Sequence, residues 1–257
     1  MSHVILVGGL DVAELVFYLF VLFFIALIFY LRREDRREGY PLEDAITGRV
    51  DSAFGPLTAS TYKRFRLPFD RGYATTPTKG REPVDIAAVR TERFGGAPYT
   101  PTGDPLVDGI GPAAYALRAP WPDLDLEGRL RVVPIGADDH FGIAPRDPDP
   151  LGMPVIAADG AVAGTVTDIW IDRSDRVIRY LDVRTPSGRQ VLAPMAMAKV
   201  DRGRKRIVID ALSADQYQRA PQLAVAGEIT RREEEQVMAY FGGGYLYGLP
   251  GRTEPLI

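Results

Sequence analysis

The chain has 257 residues, 46% of them hydrophobic and 25% charged, with a formal net charge of −3; this balance is too apolar for a disordered protein and suits a membrane segment plus roughly one soluble domain. Cysteine is absent and histidine occurs only as His3 and His140, which excludes disulfides, thiol nucleophiles, Cys-ligated zinc or iron–sulfur centres and a self-contained His-rich metal site. With 31 basic against 34 acidic residues there is no bulk attraction to nucleic acid, so protein and membrane are the expected partners.

Residues 12–31 read VAELVFYLFVLFFIALIFYL, and about 20 apolar residues at ~1.5 Å each span a bilayer core, so a transmembrane helix is expected here after a short outer segment, 1–11. Its one charge, Glu14, reads as an interfacial carboxylate near the positive end of the helix. Arg32, Arg33, Arg36 and Arg37 follow the run, while residues 1–31 hold no Lys or Arg. That order is the reverse of a cleaved signal, and the positive-inside rule places the N-terminus outside and everything after Leu31 in the cytoplasm. Bulky aromatics and the lack of a small-xxx-small repeat leave no obvious self-dimerisation seam.

Residues 32–152 form the next segment. Of 21 prolines, 16 lie between Pro41 and Pro154, and neither helical nor strand periodicity persists, so this stretch is expected to be extended and turn-rich. Phe54, Tyr62, Phe65, Phe69, Tyr73, Phe94, Tyr99, Tyr115 and Trp121 are too much aromatic surface for a free linker; a partner's surface is the expected template.

From residue 153 to 257 the texture changes to short β-branched runs punctuated by Asp159-Gly160, Ser174-Asp175, Ser187-Gly188 and Arg202-Gly203. This predicts a meander of about six antiparallel strands, rolled into a small barrel to hide its edges. Val162, Val166, Ile169, Leu181, Val183, Val191 and Val208 are the expected interior. Thr230-x-x-Glu233 is a capping box opening a helix through EEEQVMAYF, with Val237, Met238 and Phe241 as its apolar stripe, Glu233, Glu234 and Glu235 favoured by the helix dipole, and Gly242-Gly243-Gly244 as its stop.

No Walker loop, strand-coupled GxGxxG or nucleophile elbow occurs. His140 lies beside Asp138 and Asp139 and reads as a solvated loop histidine before a proton carrier or metal ligand. Asp168, Asp172, Asp175 and Arg179 fall across one predicted hairpin; carboxylates gathered with an arginine can hold or pass protons, although Ser174-Asp175 by itself is ordinary turn chemistry.

Three ordered strings carry a resemblance: REGYPLE (37–43), TGDP (102–105) running into DGIGPA (108–113), and DIWID (168–172). With Pro194-Met195-x-Met197, Ala211-Leu212-Ser213 and the tail GGGYLYG (242–248), the chain resembles the H-subunit family of the purple-bacterial photosynthetic reaction centre along nearly its whole length, and its 153–257 region looks like the PRC-barrel module. The resemblance implies a non-enzymatic, non-pigmented subunit of the inner (intracytoplasmic) membrane that caps the L and M subunits, shields the quinone sites and helps deliver protons to the secondary quinone. Bacteriochlorophyll, bacteriopheophytin, quinones and a non-haem iron would then sit on partner subunits. A cytochrome subunit, light-harvesting antenna and membrane lipid complete the implied surroundings. The proton-transfer residues it implies are Asp125 at the surface, then Asp172 and Asp175 with Arg179. Asp175 stands where the family has glutamate, and Glu127 and Arg129 where it can have a histidine pair, which passes proton uptake to Asp125, Glu127 or Asp123. Two other classes are weaker: a membrane-tethered PRC-like adaptor has no need of REGYPLE or TGDP, and a membrane-anchored hydrolase lacks a nucleophile–base pair.

Overall fold

The computed structural model describes residues 5–7, 10–38, 44, 46–49, 61–76 and 85–252. His3, the 39–43 part of REGYPLE and Phe54 lie outside the described residues. The chain divides into two units, 1–84 with 92–98, and 85–91 with 99–257.

In the first unit, β1 (Ile5–Val7) pairs with β2 (Leu10–Asp11), and α1 (Val12–Glu38) follows at once. Asp11 accepts a hydrogen bond from the Glu14 N–H at 2.8 Å, occupying one of the free donors of the first turn. Residues 12–37 form a helix long and apolar enough to cross a membrane, with an 18-residue stretch of mean hydropathy 2.8. The helix thus continues past Leu31 through the arginines, where Arg37 pairs with Glu34 at 2.7 Å. The antiparallel pair β3 (Arg64–Arg66) and β4 (Tyr73–Thr75) completes this unit.

The second unit opens with the pair β5 (Ala88–Arg90) and β6 (Tyr99–Pro101). Its main sheet is organised by β9 (Val162–Asp172). The first half of β9 pairs with β8 (Pro154–Ile156) and its last three residues with β7 (Val132–Pro134). Its other edge pairs with β10 (Val177–Arg184), which pairs with β11 (Gln190–Pro194). Beyond β8 lie β13 (Arg206–Val208) and then β12 (Lys199–Asp201).

Two features depart from the expected antiparallel barrel. β13 runs parallel to β8, and among the described residues no ladder closes β11 onto β12. These edge strands are nevertheless consecutive, joined by one 3₁₀ turn, Met195–Met197, so a link of about four residues holds the edges of a rolled sheet within roughly 15 Å.

Val166, Ile169, Leu181, Val183 and Val191 are buried as expected. Val162 is exposed, its place taken by Ala163, and Ile207 rather than Val208 is fully buried, a one-residue register error that reverses the face of each side chain.

Helix α2 (Arg231–Tyr247) starts at the expected capping box: Thr230 Oγ1 accepts from the Glu233 N–H at 3.1 Å, and Glu233 Oε2 from the Thr230 N–H at 2.7 Å. It does not stop at Gly242-Gly243-Gly244 but runs to Tyr247. A Cβ on Gly243 would lie 2.6 Å from the Ala113 Cβ, and one on Gly244 would meet Ala211 and Leu212; these glycines are contact surface instead of a terminator. The buried stripe is Val237, Tyr240 and Phe241, with Met238 exposed, and Phe241 meets Tyr217 edge-on at 5.4 Å. Leu106 and Ala113 join this core, so part of the Pro-rich stretch is templated within its own domain. Tyr99, Tyr115 and Trp121 in this unit, and Tyr62, Phe65, Phe69, Tyr73 and Phe94 in the other, stay exposed.

Candidate functional site

The turn between β9 and β10 gathers the charged residues of interest. Asp172 ends β9 and turns the chain itself: its Oδ1 accepts the N–H groups of Ser174 and Asp175, both at 2.9 Å. Arg176 takes a left-handed φ of 56° to complete the reversal. The pairing of β7 with the end of β9 then brings Arg131, the residue before Val132, over the turn.

Arg131 Nε donates to both Asp172 oxygens at 3.1 and 3.0 Å, and its Nη2 donates to Asp175 Oδ2 at 2.8 Å. Arg179 reaches the same Asp172 Oδ2 from β10 through Nε at 3.1 Å and Nη2 at 3.0 Å, and its Nη2 stands 3.7 Å from Asp175. Asp123 lies 3.5 Å from Arg131. The side chain of Asp172 is 0% exposed and that of Asp175 is 55% exposed, so one carboxylate lies beneath the surface and its neighbour meets water. Burial opposes ionisation of Asp172, yet Arg131, the Asp175 N–H and Arg179 outweigh it and hold the carboxyl below its ordinary range. Asp172 is therefore a fixed negative charge that orients two guanidiniums.

The structure brings together Asp172, Asp175 and Arg179, as the sequence suggests, and adds Arg131, which sits 41 residues before Asp172 and which no local spacing signals. Glu234, at the start of α2, was also missed. Its Oε2 accepts from Tyr180 at 3.3 Å. Burial raises its carboxyl above the ordinary range, with Tyr180 and Arg179 offsetting only part of that. Arg179, Tyr180 and Glu234 line a cleft of about 430 Å³.

Asp125 is not at the surface of this chain but buried. It holds the 124–130 hairpin, accepting from the N–H groups of Glu127 at 3.0 Å and Arg129 at 2.8 Å and from Arg129 Nε at 2.9 Å. Burial works against its charge, but these donors hold it below the ordinary range. Glu127 is exposed, 3.3 Å from Arg129. Asp168 does not join the cluster; it stands opposite Asp182, roughly 13 Å along the strand from Asp172. His140 donates its backbone N–H to Asp138, whose carboxylate is paired with Arg173 at 2.8 Å. Among the described residues no group of three His, Cys, Asp or Glu side chains suits a metal ion.

Comparison with protein families gives two matches. Residues 4–137 match the family model described as photosynthetic reaction centre, H-chain N-terminal region, and residues 145–216 match that of the PRC-barrel domain.

Proposed function

The chain belongs to the photosynthetic reaction centre H-chain family and is a membrane-anchored reaction-centre subunit; from that premise we propose that it caps the L and M subunits on the cytoplasmic side, shields the quinone sites and helps deliver protons to the secondary quinone. The observation that carries the proton role is the shared guanidinium of Arg131, which ties half-exposed Asp175 to fully buried Asp172. In this reading Asp175 exchanges protons with water, while Asp172 stays ionised and holds Arg131 and Arg179 in place. Glu234, whose carboxyl burial raises above the ordinary range, is the next group to take up and release a proton, on the cleft it lines with Arg179. Uptake falls to exposed Glu127 and part-exposed Asp123, and Asp125 positions Arg129 beside Glu127.

The exposed aromatic residues, Tyr62 to Phe94 on the first unit and Tyr99, Tyr115 and Trp121 on the second, support protein partners for each unit. The arginines after the span support a cytoplasmic location for everything beyond it. In this assembly the bacteriochlorophyll, bacteriopheophytin, quinones and non-haem iron are held by partner subunits, with a cytochrome subunit and antenna as further neighbours, and this chain supplies no pigment ligand and no catalysis.

The test is flash kinetics on purified complexes, whose near-infrared bands report assembly. Asp175→Asn keeps size and turn tendency but cannot titrate, so it slows the proton-coupled second electron transfer to the secondary quinone while leaving the first unchanged. An unchanged second transfer in both Asp175→Asn and Asp172→Asn overturns the assignment.

A further inference from the structure

A second acidic place lies on the same sheet, away from the proton cluster. Asp168 of β9, Asp182 of β10 and Leu192 of β11 form one row of directly opposed residues, with Trp170 two positions further along β9. This row lines a cavity of about 340 Å³, together with Leu223, which precedes α2, and with Val237 on α2.

The cavity is built with unmet chemistry. The Trp170 indole N–H and Asp182 Oδ1 have no hydrogen-bond partner among the described residues, although Trp170 is only 2% exposed and Asp182 9%. Buried polar atoms of a folded chain are nearly always paired, with water or a ligand where protein supplies nothing. Like charges opposed across strands also repel. Burial and Asp168 together push the Asp182 carboxyl up to about 6, against a weaker opposing pull from exposed Arg184. The site therefore lacks a cation for its carboxylates, an oxygen acceptor for the indole N–H and an apolar body against Leu192, Leu223 and Val237.

Those deficits select the ligand. An anion is repelled by both carboxylates, and a hydrocarbon leaves both polar atoms unpaired. A metal ion meets two carboxylates and no third His, Cys, Asp or Glu among the described residues. The volume is at the small end of ligand sites, below what a nucleotide needs. We propose that this cavity binds a small organic cation, an amine or guanidinium that pairs with Asp168 and Asp182, on a short hydrocarbon stem bearing a carbonyl or hydroxyl oxygen that accepts from Trp170 Nε1. This site is separate from the proton cluster and does not rest on the proton role.

The experiment uses the full chain in an uncharged detergent, with Trp121→Phe leaving Trp170 as the only indole of the two tryptophans. Arginine methyl ester is the probe, since it carries the guanidinium, stem and ester oxygen, and methyl hexanoate is the uncharged control. Saturable change in Trp170 emission and a matching calorimetric isotherm are expected, with half-saturation weakened at least tenfold in Asp168→Asn and in Asp182→Asn. Asp168 is partly exposed, so its variant keeps the site testable if Asp182→Asn perturbs folding; near-ultraviolet circular dichroism reports that. The proposal is overturned by the absence of a saturable signal in both methods, by equal binding to the folded Asn variants, or by equal binding of methyl hexanoate.

Discussion

The Asp172 turn and the Asp168–Asp182 rung place carboxylates on the same two strands and give them opposite fates. Asp172 is the more deeply buried, 0% against 9% for Asp182, yet Asp172 is held below the ordinary carboxylate range and Asp182 is pushed above it. The difference is in the donors. Asp172 faces two guanidiniums and two backbone N–H groups, whereas Asp182 faces another carboxylate. Within one sheet, the charge state of a buried acid follows the groups aimed at it more than its depth.

Removing the two carboxylates should therefore move stability in opposite directions. Asp172→Ala strands the part-buried guanidinium of Arg131, the more exposed one of Arg179 and the turn N–H groups, and is expected to cost about 3 kcal/mol, read as a lower urea midpoint of the full chain in detergent at pH 7. A midpoint within error of wild type would break the contrast at its stronger end.

Asp182→Asn is expected to stabilise. The folded-state carboxyl is raised from 3.8 to about 6, so the native state binds its proton more tightly than the unfolded chain does. Native stability then falls as pH rises from about 4 to about 6 and levels off above. Relative to wild type, the Asn variant should gain roughly 2 kcal/mol at pH 8 and nothing at pH 4, measured as paired urea titrations at the two values. A constant difference across this range would mean that neither burial nor Asp168 raises the Asp182 carboxyl in solution.

For Asp172 and Asp125 the sign reverses. Their lowered carboxyls contribute stability that is fully present above about pH 4 and is lost as pH falls through their folded-state values. The deficit of Asp172→Asn against wild type should thus shrink as pH is lowered into the acid range, read as paired urea titrations at pH 5 and pH 3. The smallest effect belongs to Asp175→Asn, expected within about 0.5 kcal/mol of wild type because its side chain is 55% exposed. A larger loss would make Asp175 a structural member of the turn and weaken its place in proton exchange.

Local signals in the sequence were legible where the cause was local. Twenty apolar residues, a Thr-x-x-Glu box and β-branched runs between turn dipeptides each announce their element without help from the rest of the chain. What failed depended on tertiary neighbours. Gly242-Gly243-Gly244 resembles a stop until Ala113 and Ala211 are seen against it, and the parallel β8–β13 pair leaves no mark on either strand. At the site, Asp172, Asp175 and Arg179 share one hairpin and could be grouped by spacing. Arg131 arrives through a strand pairing from far upstream, Glu234 looked like dipole chemistry alone, and Asp182 was indistinguishable from any polar residue in an alternating strand.

The glycine face of α2 also has a temporal side. Ala113 nests against Gly243, which the ribosome adds about 130 residues later, so at ~5–20 residues per second the Leu106–Ala113 stretch waits on the order of ten seconds before its seat exists. During that interval it is an apolar segment tethered to a membrane-anchored nascent chain, and synthesis interrupted before α2 should leave it as a target for chaperones or proteases. Helix α2 thus decides whether the middle of the chain survives biogenesis.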